Sequence, residues 1–254
     1  MTAHPEHSQA AYRLRFDWGP AGARMLVEDA APGDAAVVVD VFSFTTTLSV
    51  AVERGIEVYP YPWASADARA YAADRDAILA HARRAGPAEA GAVSLSPASF
   101  DDVSGVDRVV LPSPNGSAIS FALRDAGVAL LGACLRNAAA VGRWLRATSG
   151  RVSVIAAGER WPDGSLRPAA EDLWGAGAVL YSLGTAGASP ECGVAVAAYL
   201  AVRDDLGTAL ADCASGRELI AGGFGRDVQI TAACDVSDAV PVLRGEAFVD
   251  VGSS

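Results

Sequence analysis

Hydrophobic and polar positions alternate along the chain in two patterns, one with the period of a strand and one with the period of a helix. The clearest run of β-branched residues, at positions 37–39, predicts a central strand that is buried on both faces. Asp40 ends this strand, and the hydroxyl residues at positions 43–47 then begin a helix. Leu48 and Ala51 lie on the inner face of that helix, so this junction anchors the predicted fold.

The same patterns predict further strands at residues 12–16, 56–60, 108–111, 128–131, 152–156, 240–243 and 247–251. They predict further helices at residues 22–28, 66–84, 118–125, 137–147, 169–182, 192–203 and 215–221. We expect Ser65 to cap the long helix at residues 66–84, and Ser215 and Glu218 to form a capping box. This alternation predicts an α/β fold with three layers, α/β/α, around a mostly parallel or mixed central sheet.

The domain organisation follows from length and from local polarity. We expect residues 1–11 to be disordered and residues 12–254 to form a single α/β domain. A chain of this length buries a core large enough to be stable without disulfide bonds or structural metal ions. Residues 86–106 have no clear period and contain two prolines, so we expect an irregular excursion or a flap there.

The charge balance limits the classes of partner. The formal net charge is −10 at pH 7, which argues against nucleic acid as a partner. The negative net charge also repels an anionic substrate, so binding such a substrate requires local arginines, backbone N–H groups or a metal ion. The first ten residues contain no apolar core of a signal peptide, and the chain contains no 18-residue apolar run, so we expect a cytoplasmic protein without a membrane partner.

Four cysteines occur at positions 134, 192, 213 and 234, without a CxxC pair or a histidine near them in the sequence. This pattern predicts reduced thiols with a role in packing. A cysteine-dependent phosphatase needs an arginine six positions after its nucleophile, and Ala140 stands at that position after Cys134. Cys134 therefore fails as a nucleophile of that kind.

Four polar loops follow apolar runs, at residues 40–47, 113–117, 134–137 and 158–172. In an open α/β sheet, ligands bind outside the carboxyl ends of the strands. We therefore expect these four loops to meet at one edge of the sheet and to form the binding site.

Asp40 is the first candidate, either as a cap of the following helix or as an oxygen ligand of a hard cation. A covalent phospho-aspartate is the weaker reading, because the usual pattern has a second aspartate where Phe42 stands. Ser43, Thr45 and Thr46 are predicted either to cap the helix or to donate hydroxyls to a bound anion.

The loop after the strand at 108–111 contains Asn115, Gly116 and Ser117. These residues are compatible with a simple turn, and equally with a helix N-terminus whose N–H groups face an anion. In the next loop, Asn137 has the character of a helix cap, whereas the guanidinium of Arg136 suits a phosphate or sulfonate group.

The fourth loop contains Gly158, Glu159 and Arg160, and the following helix begins with Glu171 and Asp172. The two adjacent carboxylates are either partners of the helix dipole or ligands of a divalent ion. Magnesium suits a site with few carboxylates and additional substrate oxygens. Zinc is disfavoured, because the histidines at positions 4, 7 and 81 lie outside all four loops.

Short motifs in a fixed order tie these loops to a known family. They are Val39-Asp40-Val41 with Thr45-Thr46-Thr47, Asn115-Gly116-Ser117, Asn137-Ala138, the series Ala157-Gly158, Glu171-Asp172 and Ala176-Gly177, and the closing Asp227-Val228 to Cys234 with Val240-Pro241. From about residue 12 to residue 245 the chain thereby resembles the ComB family, the magnesium-dependent 2-phosphosulfolactate phosphatases.

The resemblance implies hydrolysis of 2-phospho-3-sulfolactate to sulfolactate and phosphate with Mg²⁺ as cofactor. It implies that Asp40, Glu171 and Asp172 are the catalytic and metal-binding residues. The substrate would then be bound by the polar residues of the four loops, namely Ser43, Thr45, Thr46, Asn115, Gly116, Ser117, Arg136, Asn137, Gly158, Glu159 and Arg160. A homodimer is compatible with the family resemblance and with the apolar composition.

One departure concerns the substrate. Ser43 stands where the family usually has an arginine, and losing that guanidinium weakens the binding of a doubly charged anion. Arginines 24, 136, 160 and 167 are candidates to compensate. Two alternatives follow: an enzyme of the same scaffold with a different anionic substrate, or a non-catalytic anion-binding protein.

Overall fold

The computed structural model describes residues 5–63, 66–83, 92–148 and 150–252. Within this part of the chain, nine strands form one large sheet and two form a small hairpin. The strands are β1 Leu14–Trp18, β2 Ala35–Val39, β3 Glu57–Tyr61, β4 Ile78–Leu79, β5 Arg108–Pro112, β6 Ala129–Ala133, β7 Val152–Ala156, β8 Glu159–Arg160, β9 Leu166–Arg167, β10 Pro241–Arg244 and β11 Ala247–Asp250.

Helices cover both faces of the large sheet, which confirms the predicted α/β architecture with its mixed sheet. They are α1 Gly19–Val27, α2 Phe44–Glu53, α3 Ala66–Ala73, α4 Gly116–Leu123, α5 Ala138–Thr148, α6 Ala170–Leu183, α7 Pro190–Val202, α8 Leu206–Asp212, α9 Ala214–Ala221 and α10 Gly225–Ala232. Helices α1, α2 and α4 pack on one face, and α5 to α8 pack on the other. Within the described residues, none of the helices has the length and apolar character needed to cross a bilayer.

The large sheet has two parallel blocks joined by an antiparallel hairpin. Its order is β1-β7-β2-β6-β10-β11-β3-β5-β4, with β10 and β11 as the hairpin. The hairpin meets the blocks through one residue pair on each side, Val242 with Leu131 and Phe248 with Val58. Helix α2 contacts β6 and β3, and α4 contacts β2, β3 and β5, so both helices pack on strands of both blocks. The loop after β5 meets the loop after β2 through the hydrogen bond from Gly116 N to Asp40.

The central strand β2 is buried on both faces, as its sequence predicts. Val37 and Val39 belong to the core under α5 and α6, whereas Ala36 and Val38 belong to the core under α2 and α4. Strand β2 pairs in parallel with β6 and with β7, so Asp40 directly follows an interior strand of the sheet.

The predicted long helix at 66–84 is wrong in its length. Helix α3 ends at Ala73, Asp76 adopts a left-handed backbone with φ of 49°, and Ile78–Leu79 then pairs with β5. An alanine-rich sequence has high helix propensity, but pairing with a sheet edge overrides it here. The predicted cap Ser65 lies outside the described residues.

The chain after β7 also differs from prediction. The loop at 158–168 contains the β8–β9 hairpin, and α8 and α10 were not predicted. The capping box at Ser215 is wrong, because the cap of α9 is Cys213, whose Sγ accepts a hydrogen bond from Gly216 N at 3.4 Å. Asn137 ends a short 3₁₀ turn, Leu135–Asn137, and α5 begins one residue later.

The N-terminal segment and the predicted flap are packed where the structure describes them. Residues 1–4 and 84–91 lie outside the described part of the chain. Gln9 exchanges two hydrogen bonds with the backbone of Phe16 on β1. In the flap, Leu95 is buried, and its carbonyl accepts a hydrogen bond from Thr47 Oγ1 at 2.8 Å.

Asp227 fastens this flap to α10. Its side chain is 1% exposed, accepts a hydrogen bond from Ser96 Oγ at 2.5 Å and pairs with Arg83 Nε at 3.0 Å. We expect Asp227→Ala to lower the free energy of unfolding by about 3–5 kcal/mol, because it leaves a largely buried guanidinium unpaired. Urea denaturation measures this change.

The matched control is Asp238→Ala, which removes an exposed carboxylate paired with Arg143 at 2.6 Å. Both partners of that pair face solvent, so we expect a loss below about 1 kcal/mol. Equal losses in the two variants would contradict the role given to Asp227.

Candidate active site

Asp40 lies at the carboxyl end of β2 and is held by three donors from two loops. Its Oδ1 accepts a hydrogen bond from Ser43 N at 2.9 Å, and its Oδ2 accepts bonds from Gly116 N at 2.7 Å and Ser113 Oγ at 3.3 Å. The side chain is buried. Loops 40–47 and 113–117, which are far apart in sequence, therefore meet at this carboxylate.

The threonines that follow Asp40 build the turn between β2 and α2. Thr45 Oγ1 donates to the carbonyl of Asp40 at 2.8 Å and accepts from Asp40 N at 3.0 Å. Thr46 Oγ1 donates to the carbonyl of Val41 at 2.9 Å. Because these hydroxyls already bond to the backbone, they fix the direction in which the carboxylate leaves the strand.

Asp172 joins the same region from the first turn of α6. Its Oδ1 accepts a hydrogen bond from Val41 N at 2.7 Å, and its Oδ2 accepts one from Gly158 N at 2.8 Å. The side chain is 3% exposed. Asp172 thereby ties the loop after β7 to the loop after β2, so three of the four loops that the sequence predicts to converge meet here.

Two glutamates complete the group. Glu171 is buried, and the thiol of Cys213 donates to its Oε2 at 3.5 Å. Burial and the charge of Glu171 raise the pKa of Cys213 to about 12, so this thiol stays protonated as a donor. Glu159 is half-buried, and its Oε2 accepts a hydrogen bond from Asn115 Nδ2 at 2.9 Å. We call Asp40, Glu159, Glu171 and Asp172 the carboxylate cluster.

The carboxylates of the cluster perturb one another. Burial raises the pKa of Asp40, against the hydrogen bonds that it accepts from Gly116 and Ser43. Burial, followed by the charges of Asp40 and Glu171, raises the pKa of Asp172 well above its usual range. Burial and the charge of Asp40 raise the pKa of Glu159 to about 7. Burial and mutual repulsion thus oppose full ionisation of the cluster.

Helix N-termini offset part of this charge. Asp40 lies where α2 and α4 begin, and Glu171 and Asp172 lie in the first turn of α6. The positive end of a helix dipole stabilises a carboxylate, and so do its free N–H groups. Among the described residues, none of the four carboxylates forms an ion pair with an arginine.

We expect the metal-free protein to lose stability as the pH rises from about 4.5 to 7. The ordinary pKa of a glutamate, 4.5, applies to the unfolded chain, whereas Glu159 has a pKa of about 7 when folded. Between these values the folded state binds more protons, so the free energy of unfolding falls with rising pH. Urea denaturation in chelator, at pH 5 to 8, measures this slope.

Glu159→Gln is the comparison for that slope. Because glutamine does not titrate, the stability difference between pH 5 and pH 8 should shrink by roughly 1–3 kcal/mol in this variant. An unchanged difference would show that Glu159 does not carry the raised pKa.

The other predicted site residues form three groups: residues that support the loops, a residue at the edge of the cluster, and residues that face away from it. Ser43 is buried beside Asp40, and Ser117 Oγ donates to the carbonyl of Leu111 at 2.8 Å, so both support the two loops. Arg160 is exposed at the edge of the cluster, where its Nη2 donates to the carbonyl of Pro114 at 3.0 Å.

The third group faces elsewhere. Arg136 pairs with Glu53 at the end of α2, at 3.2 Å. The side chain of Asn137 accepts from Cys134 N at 2.9 Å and donates to the carbonyl of Ala239 at 3.1 Å. The ion pair of Arg136 and the hydrogen bonds of Asn137 thus lead away from the carboxylate cluster, so the predicted role of loop 134–137 in the site is not supported.

Sequence reasoning did not assign site roles to Ser113 and Cys213. Ser113 was visible as a hydroxyl at a strand end, in the same segment as Asn115. Cys213 had no such signal, since its contact with Glu171 depends on how α8 and α9 fold back over α6.

The donors of the cluster suit a small hard cation. Within the described residues, no three carboxylate, thiol or imidazole groups already form a ready-made metal site. Asp40, Glu171 and Asp172 nevertheless offer carboxylate oxygens in a volume with excess negative charge. Magnesium prefers oxygen ligands, takes few of them from the protein and keeps several waters or substrate oxygens, so the chemistry of these donors suits it, whereas their arrangement in the structure does not form a metal site.

The fold and the rim of buried carboxylates define an α/β protein of the class in which ligands bind outside the carboxyl ends of the strands. The family model described as 2-phosphosulpholactate phosphatase matches residues 23–246. A Thermus thermophilus protein named probable 2-phosphosulfolactate phosphatase is 33% identical in an alignment of 248 positions, and the alignment covers 92% of this chain and 95% of the relative. This chain belongs to the 2-phosphosulpholactate phosphatase family, which confirms the resemblance seen in its motifs.

Proposed function

We propose that this protein is a magnesium-dependent phosphatase that hydrolyses 2-phospho-3-sulfolactate to 3-sulfolactate and phosphate. The observation that carries the proposal is the convergence of three loops, at residues 40–47, 113–117 and 158–172, on the carboxylate cluster at the carboxyl end of β2. The family name supports a phosphoric monoester hydrolase, and the name of the Thermus relative supports this substrate.

In this proposal, Asp40, Glu171 and Asp172 hold the magnesium ion. When bound, magnesium supplies a Lewis acid that neutralises charge on the phosphoryl oxygens. The backbone bonds from Ser43, Gly116, Val41 and Gly158 keep two of these carboxylates in fixed orientations. Such fixed ligands need no reorganisation during the reaction.

Glu159 is the residue that we assign to proton transfer. A carboxyl with a pKa of about 7 exchanges a proton readily near neutral pH, where it can accept one from the attacking water. The amide of Asn115 donates to Oε2 of Glu159 at 2.9 Å and so limits the orientations of this carboxyl. Glu159 thus orients and deprotonates water in our scheme.

The predicted phosphate donors are already engaged within the protein. The hydroxyls of Thr45, Thr46 and Ser117 donate to backbone carbonyls, and Gly116 N donates to Asp40. We infer that these groups shape the walls of the site. The charge of the substrate must then be met by the metal ion and by side chains at the rim.

A phosphate-release assay on 2-phospho-3-sulfolactate, with magnesium and with chelator, tests the proposal. We expect turnover that is lost in chelator and restored by magnesium. Turnover that is insensitive to chelator would contradict the proposed magnesium dependence. The absence of turnover with any phosphomonoester would contradict the proposed phosphatase activity.

One observation favours a different substrate on the same scaffold. Ser43 replaces an arginine that the family resemblance predicts, and it is buried beside Asp40. A substrate with fewer acid groups needs fewer guanidinium partners. A panel of phosphomonoesters with zero, one and two additional acid groups separates this candidate from the first, because it would be hydrolysed best with fewer groups.

A further inference from the structure

The β8–β9 hairpin lies beside the carboxylate cluster and is fixed at its base. It begins at Gly158, which has φ of +66° and donates its N–H to Asp172. Leu166 packs so closely on this base that a Cβ at Gly158 would lie 2.7 Å from Leu166 Cδ1. The hairpin therefore has a defined position over the site.

The two strands of the hairpin reach opposite sides of the site. On β8, Glu159 bonds to Asn115, and Arg160 Nη2 donates to the carbonyl of Pro114, so this strand meets the loop after β5. On β9, Arg167 Nη2 donates to Ser215 Oγ at 3.1 Å in the first turn of α9. The hairpin thereby spans the region between α4 and α9.

The arginines of the hairpin differ from most others in their partners. Eleven arginines of the described part of the chain pair with carboxylates, at positions 15, 54, 75, 83, 108, 124, 136, 143, 151, 203 and 226. Arg160 and Arg167 instead donate hydrogen bonds to neutral oxygens, although Arg167 also lies opposite Glu159 across the hairpin.

Arg167 is the better placed of the two for recognition. It is half-buried, its charge reaches Glu159 of the cluster, and its guanidinium lies 5.8 Å from the ring of Trp161. An aromatic face beside a guanidinium limits its motion and its hydration. Arg136, the other guanidinium predicted for this role, is already paired with Glu53.

We propose that Arg167, assisted by Arg160, binds an acid group of the substrate that is separate from the phosphate, and so selects phosphomonoesters that carry an additional sulfonate or carboxylate. This inference rests on the proposed function and names the residue that recognises the additional acid group of the substrate. A guanidinium fork matches either acid group, and a local cation offsets the repulsion that a net charge of −10 exerts on an anion.

A substrate series tests the assignment. We compare 2-phospho-3-sulfolactate, 2-phospholactate without the sulfonate, and isopropyl phosphate without either acid group. For Arg167→Gln we expect kcat/KM on the full substrate to fall roughly 10- to 100-fold, mainly through KM, because one charge-assisted contact is lost. The loss should vanish with the substrate that lacks the group bound by Arg167, which also tells sulfonate from carboxylate.

Two further variants separate recognition from structure. Arg167→Lys keeps the charge and should restore part of the lost kcat/KM. Arg143→Gln removes an exposed arginine on α5 and changes the net charge by the same amount, so it should leave kcat/KM unchanged. If Arg167→Gln does not fold, the same series is measured with Arg167→Lys and Arg160→Gln.

An equal loss on all three substrates, or no loss on any, would overturn the assignment. Failure of the proposed function has a different signature, since the unmodified protein would then release phosphate from none of the three. In that event, calorimetric titration with 3-sulfolactate still tests the inference. Binding that Arg167→Gln weakens supports the acid-group site. Binding that the substitution leaves unchanged, or no binding to the unmodified protein, overturns the site.

Discussion

Asp40→Asn should reduce magnesium-dependent phosphate release by at least about a thousandfold, which corresponds to roughly 4 kcal/mol of transition-state stabilisation. The substitution keeps the shape of the side chain and removes the charge that we assign to the metal. It should also abolish the rise in melting temperature that magnesium gives the unmodified protein.

The fold should survive this change. Asp40 is buried and its pKa is raised, so removing its charge relieves a desolvation cost. Against this, an amide satisfies only one of the N–H donors of Ser43 and Gly116. We expect the two effects to leave the metal-free stability within about 2 kcal/mol of the original.

Asp125→Asn is the control, because this carboxylate is exposed on the surface after α4. It should change neither turnover nor the magnesium response. Retention of full magnesium-dependent activity in Asp40→Asn would remove Asp40 from the mechanism.

Gly116→Ala should damage both stability and activity. A Cβ at this position would lie 2.6 Å from Asp40 Cβ, 2.7 Å from Asp40 Oδ2 and 2.9 Å from Phe44 Cδ1. The methyl group therefore separates the loop after β5 from the loop after β2 and breaks the 2.7 Å bond from Gly116 N to Asp40. We expect a loss of about 1–3 kcal/mol in the free energy of unfolding and a loss of at least about 100-fold in kcat.

Gly193→Ala is the matched control, since a Cβ on this α7 residue meets no atom within 4 Å. Alanine is a better helix former than glycine, so this variant should be slightly more stable and fully active. A Gly116→Ala protein as active as Gly193→Ala would mean that the contact between the two loops is not needed for catalysis.

Much of the central fold could be predicted from the sequence because its elements have strong local patterns. The valine run of β2 is buried on both faces, and Val152–Ala156 forms a strand with the predicted bounds. The position of Asp40 after such a run was enough to predict a polar group at the sheet edge. The meeting of Asp40 with Gly116 also followed from that rule, although the two strands are not neighbours in the sheet.

What could not be predicted depends on tertiary contacts. Helix α3 stops early because Ile78–Leu79 pairs with β5, a contact distant in sequence. The pairing of Arg136 with Glu53 depends on the packing of α2 against β6, and the position of Arg167 near Glu159 depends on the β8–β9 hairpin. Local patterns therefore could not rank these two arginines. The β8–β9 hairpin has strands of only two residues each, which are too short for a hydrophobic period to reveal.

The most direct test of the central claim is an anomalous diffraction map from a crystal soaked with Mn²⁺, as a substitute for Mg²⁺, together with inorganic phosphate. The account predicts one strong manganese peak within coordination distance of carboxylate oxygens of Asp40 and of Glu171 or Asp172, with phosphate bound to the metal. A map with no peak at these carboxylates, or with manganese bound only elsewhere on the protein, would contradict it.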